Sequence, residues 1–142
     1  MEFDEAILKF NGMYKLPVSD KPSIEAVGDV KQRVSDFMSI LKEEVNEGYD
    51  IVRKIDGNAE AIDVLVDLAD WLGDIQVYCA SEMAKYGLPL NLVLNTIMQS
   101  NFSKLGADGK PIYDERGKVE KGPNYWKPEP KIKQLLETYT KD

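Results

Sequence analysis

The chain has 142 residues, 43% hydrophobic and 30% charged, an ordinary globular composition that suits one domain with a real core. Its formal net charge of −7 argues against binding to nucleic acid polymers, and no apolar run approaches a membrane span. The absence of histidine removes Ser-His and Cys-His catalysis, histidine-ligated zinc and di-iron sites of the Glu-x-x-His type.

The N-terminal stretch MEFDEAILKF is too acidic for a secretory leader. A short helix is expected from Glu2 to about Asn11, with Phe3, Ala6, Ile7 and Phe10 on one face. YKLPVSDKPS then reads as an extended connection. A longer helix is expected from about Glu25 to about Lys54, because Val30, Val34, Phe37, Ile40, Leu41 and Ile51 recur at helical spacing. IDGNA breaks it, with Asp56-Gly57 as a turn and Asn58 as a candidate N-cap. The next helix runs to about Tyr86 and ends at Gly87, ahead of Pro89. A fourth helix covers about Leu90 to Lys104. The loop that follows is long and rich in Gly, Pro and charge, as functional loops often are. Within it Ile112-Tyr113 and Lys118-Val119 flank DERG and are expected to pair as a small hairpin. A last helix is expected from about Lys131 to Thr138. The fold class is all-α, an antiparallel helical bundle. Its helical core covers about residues 1–104, and a loop and last helix follow in the same single domain.

The single cysteine, Cys79, excludes an internal disulfide and fits a reducing cytoplasm. Charge is distributed unevenly. From Lys104 to Lys133 eight basic side chains stand against five acidic ones, so the acidic excess lies elsewhere. On the third helix Asp67, Asp70 and Asp74 project within about 60° of each other, with Asp63 on the same stripe. On the second, Glu44 falls among Phe37, Ile40, Leu41 and Ile51, with Glu47 at the edge of that side and Glu43 and Asp50 nearer solvent. An ionised carboxylate on a core-facing stripe is costly unless paired or bound to a cation. The third helix has no arginine, and Arg53 and Lys54 lie beyond the cluster. Hard divalent cations such as Mg²⁺ or Mn²⁺ fit an all-oxygen donor set. Two solvated acidic helix faces are the plainer alternative.

Glu44-x-x-Glu47 followed by Asp67-x-x-Asp70 resembles the ExxE…ExxD signature of the all-α nucleoside triphosphate pyrophosphohydrolases, the MazG-like superfamily. One Asp replaces the usual Glu. DWLGDIQVYCASEMAKYG, SNFSKL (Ser100 to Leu105) and GKVEKGPNYWKP (Gly117 to Pro128) resemble segments of the branch related to phosphoribosyl-ATP pyrophosphohydrolase. The likeness runs from about Phe10 to Pro128. Where that branch often carries histidine, this chain has Asn11, and Met98-Gln99 before Ser100.

The resemblance implies cleavage of a nucleoside triphosphate between its α and β phosphates, in cleaning or tuning a nucleotide pool. Two or three Mg²⁺ or Mn²⁺ ions would sit on Glu44, Glu47, Asp70 and Asp74, with Asp67 or Glu43 assisting. Glu47 is the candidate to orient the attacking water. Asn101, Lys104, Lys118 and Lys121 are candidates for phosphate or sugar, and Tyr125 or Trp126 for the base. Ordinary packing is the alternative for the two aromatics, and a solvated loop position for Lys121. The resemblance also implies a homodimer or homotetramer whose sites can borrow residues from a neighbour. The rival readings are a phosphoribosyl-ATP pyrophosphohydrolase and a non-catalytic acidic helical protein that binds a basic partner.

Overall fold

A computed structural model describes residues 1–140. The fold is all-α apart from one small hairpin: α1 (Phe3–Met13), a 3-10 turn (Glu25–Val27), α2 (Val30–Asn46), α3 (Gly48–Asp56), α4 (Ala61–Lys85), α5 (Leu90–Phe102), β1 (Ile112–Tyr113), β2 (Val119–Glu120) and α6 (Glu129–Thr140). The chain divides into two compact units, Met1–Gly87 and a second beginning at Leu88. Among the described residues no helix is long and apolar enough to cross a membrane.

In the first unit α4 is the hub, and α1, α2 and α3 all pack on it. The connection from α3 into α4 is short, so the two run antiparallel. The expected second helix is two helices, α2 and α3, that part at Glu47. Asn58 is not an N-cap. It lies in the left-handed region (φ 60°), which asparagine tolerates, and it follows the C-cap Gly57. Its N–H reaches Ile55 O and the Ala59 N–H reaches Lys54 O, both at 3.0 Å. That is a Schellman pair, which closes α3 and leaves Glu60 to precede α4. At the far end of α4, Gly87 has φ 67°, as the C′ position demands. A Cβ there would stand 2.2 Å from Lys21 O. The segment that blocks it is bonded to the helix end, Ser19 N–H to Ala84 O and Ser23 N–H to Tyr86 O.

The core is small. Ile7, Ile51, Ala80 and Ala84 are its buried apolar members in this unit. On α1 the inward pair is Ile7 and Asn11, one turn apart, whereas Phe3 and Phe10 are exposed. Asn11 is fully buried and locks α1 to α4. Its amide donates to Ser81 O at 3.1 Å and to Pro17 O at 3.4 Å, and its carbonyl accepts from the Ser81 hydroxyl at 2.6 Å. Beside it Glu82 accepts from Arg33 Nε at 2.9 Å and from Lys85 Nζ at 3.1 Å. The first half of α4 is different: Ile62, Leu65, Val66 and Leu72 are exposed, although their spacing is that of a packed face.

In the second unit α5 packs on α6. The hairpin pairs Ile112 with Glu120 and Tyr113 with Val119, so its second strand starts one residue later than expected. Lys118 belongs to the turn instead. Its N–H and that of Arg116 both donate to the Asp114 carboxylate, at 2.9 and 2.8 Å. The last helix begins at Glu129, with Pro130 in its first turn, where a missing N–H costs nothing.

Candidate functional site

Glu44 occupies the last turn of α2 and is buried, at 8% exposure. Glu47 follows at the α2–α3 break and is exposed, as are Asp70 and Asp74 on α4. Despite the different exposure, the charges of the other three all reach Glu44. The Glu44 carboxyl is pushed above the ordinary carboxylate range, first by burial and then by the negative charges of Glu47 and Asp74. A hydrogen bond with Glu47 and the charge of Asp70 add to the rise. Among the described residues no lysine or arginine pairs with any of the four.

The other two expected ligands are placed differently. Asp67 forms an ion pair with Lys54, and that contact raises the lysine above its usual value. Lys54 therefore does not lie beyond the cluster: the end of α3 carries it back alongside α4. Glu43 is exposed, on the solvent side of α2. As the side chains stand, no three carboxylates among the described residues are close enough to grip an ion. The chemistry of the four-carboxylate set nevertheless fits a hard cation. It is all oxygen, its charges bear on Glu44, and no basic counterion stands among the described residues.

The raised Glu44 gives a stability prediction. A carboxyl that binds its proton more readily folded than unfolded stabilises the fold below 4.5, and this contribution is lost as pH rises through the folded value. In chelator, Glu44→Gln should therefore melt above the wild type at pH 7, and the gap should close as pH falls toward 4.5. Thermal melts at four or five pH values check it. A gap that is constant with pH would refute it.

A cavity of about 440 Å³ reaches Asp74, within the range of small-molecule sites. Phe10, Phe37, Ile40, Val77 and Tyr78 give it apolar walls, with Arg33, Glu82 and Lys85 at a polar end. The Arg33 Nη2 and the Tyr86 hydroxyl are buried without a hydrogen-bond partner among the described residues. Sequence reasoning missed this pocket because its lining comes from α1, α2 and α4 at wide separations in the chain. Cys79 is half-buried, and burial pushes its thiol up, so it is a poor nucleophile at neutral pH.

The expected substrate contacts all lie in the second unit. Asn101 is exposed and Lys104 half-buried. The Gly122 N–H bonds to Lys104 O at 2.7 Å. Trp126 is tied to α5 at both backbone polar groups: its N–H donates to Ser103 Oγ at 3.2 Å, and its carbonyl accepts from Ser100 Oγ at 2.8 Å. SNFSKL and the GKVEKGPNYWKP segment thus meet. Lys121 lies over the Tyr125 ring at 5.0 Å, and Lys131 over Trp126 at 3.8 Å. One face of each aromatic is therefore already covered by a cation. Lys118 is exposed beyond the hairpin turn.

No family model and no curated protein matches the chain. Among solved structures it is similar to the crystal structure of a putative NTP pyrophosphohydrolase from Exiguobacterium sp. 255-15. The two share 22% identity over 96% of this chain and 95% of that one, with a TM-score of 0.51. The likeness is one of fold.

Proposed function

We propose that the protein is a metal-dependent nucleoside triphosphate pyrophosphohydrolase that releases the nucleoside monophosphate and pyrophosphate. One observation carries the reading: the carboxylates of Glu47, Asp70 and Asp74 gather against buried Glu44 with no basic partner among the described residues, and Asp74 also lines an aromatic-walled cavity. Glu44, Glu47, Asp70 and Asp74 would hold Mg²⁺ or Mn²⁺. Such ions neutralise phosphate charge and acidify a bound water. Glu47, the exposed member nearest the helix break, orients the attacking water and accepts its proton. The cavity takes the nucleoside, with the ring faces of Phe10, Phe37 and Tyr78 available to a base. Asp67, held by Lys54, stays outside the ion set.

The test is a panel of ribo- and deoxyribonucleoside triphosphates in Mn²⁺, with products identified by mass. Monophosphate and pyrophosphate from at least one are expected. Diphosphate and orthophosphate, or no turnover, would overturn the reading.

We also assign a second copy of the chain to the open face of α4, where Leu65 is 59% and Leu72 48% exposed. A symmetric pair would bury both copies of that face and complete a four-helix arrangement. Light scattering should give at least twice the chain mass; a value near 16.1 kDa would refute it.

A further inference from the structure

We infer that Trp71 is the positioning residue of the carboxylate set, because its indole is wedged into the α2–α3 break between Glu44 and Glu47. The inference rests on the metal reading above. Trp71 follows Asp70 directly on α4, and its ring crosses to the break. Its Nε1–H donates to Glu44 O at 2.9 Å. The same carbonyl accepts the Glu47 N–H at 3.2 Å, a bond one residue shorter than the α-helical one. A side chain inserted at a helical carbonyl is a recognised cause of a kink. Gly48 makes room for it. A Cβ at that position would stand 2.7 Å from Cζ2 of the ring, closer than packed carbon atoms come, and a tight 3.1 Å from Cη2. The absent side chain and the indole are thus two halves of one fitting.

The position of this contact gives it its role. It fixes the backbone between two of the proposed ligands on one side of the site. Through its own main chain it is continuous with Asp70 on the other. A single rigid ring therefore sets the spacing between the glutamates and the aspartates. Groups that orient metal ligands in this way typically alter metal affinity about 10–100-fold when removed.

The experiment uses the full chain and Mn²⁺ alone. Trp71→Phe keeps most of the ring and removes the N–H; Gly48→Ala keeps the N–H and displaces the ring. For each, Mn²⁺ affinity is measured by calorimetry beside the melting temperature in chelator. We expect affinity to fall about tenfold in both variants, with the melting temperature of Trp71→Phe nearly unchanged. Loss of packing alone would lower the melting temperature and leave affinity where it was. A second measurement does not depend on these variants folding. The chain has two tryptophans, so in a Trp126→Phe background Trp71 is the sole indole. Paramagnetic Mn²⁺ should quench its emission, and Mg²⁺ should reverse the quenching by competition. Unchanged affinity in Trp71→Phe, or bound Mn²⁺ that leaves the emission intact, overturns the role of Trp71 and leaves the metal reading standing. A wild-type chain that takes up no Mn²⁺ overturns both.

Discussion

Asp70→Asn is expected to abolish nearly all turnover while the protein folds as well as the wild type or better. The change keeps side-chain size and removes one of the charges that act on buried Glu44. Repulsion within the set falls, so the melting temperature without metal should hold or rise. Catalysis should move the other way. Loss of an outer partner of a metal ligand costs about 10–100-fold, so loss of a ligand should reach at least the upper end of that range. Glu47→Gln should behave alike, because it too relieves Glu44 and would also remove the group that takes the proton of water. Asp67→Asn is the internal contrast. It breaks the Lys54 pair at a partly exposed site, where such a pair is worth little, and should leave most turnover intact. Near-normal turnover in Asp70→Asn would show that the ions, if bound, sit elsewhere.

Removal of divalent cations should have the second large effect. Turnover should vanish in excess chelator and return with Mg²⁺ or Mn²⁺, and full activity in chelator would end the metal reading. The fold itself should survive. Its packing around Ile7, Ile51, Ala80 and Ala84 and the Asn11–Ser81 lock are independent of any ion. Adding Mn²⁺ at 100 times its dissociation constant should stabilise the folded state by about 2.7 kcal/mol. Differential scanning fluorimetry with and without chelator reads this directly.

The order of helices, the Gly87 terminus and the small hairpin were legible in the sequence because each depends on local chemistry. Apolar residues at helical spacing, a glycine with positive φ and an aspartate that can close a turn carry their signals within a few positions. The burial of Glu44 was legible for the same reason, since it shares a helical face with Ile40, Leu41 and Ile51. Helical spacing alone does not show the break at Glu47, yet one sign of it is present: Gly48 stands inside an otherwise apolar-periodic helical run, where a glycine weakens the helix and can serve a packing need. What approaches is Trp71, more than twenty positions away, and periodicity holds no information about that. Lys54 escaped for a related reason. It stands beyond the cluster along the chain, and only the packing of α3 on α4 shows that it reaches Asp67. On α1 the expected face keeps Ile7 inside, but Phe3 and Phe10 are exposed and a fully satisfied asparagine, Asn11, takes the buried place one turn on from Ile7, which hydrophobicity alone does not signal.

The bonds from Ser19 and Ser23 to the last turn of α4 have a kinetic corollary. They join segments about 65 positions apart in the chain, so the intervening loop must be closed, at an entropic cost, before either bond forms. The acceptors, Ala84 O and Tyr86 O, are in place only once α4 has wound to its end. The connection behind the N-terminal helix therefore lacks these acceptors until the end of the long helix is wound, and we expect it and α1 to join late in folding. Substitutions in α1 should accordingly speed unfolding and leave the folding rate almost untouched. A folding limb that slowed in step with the loss of stability would place α1 in the nucleus instead.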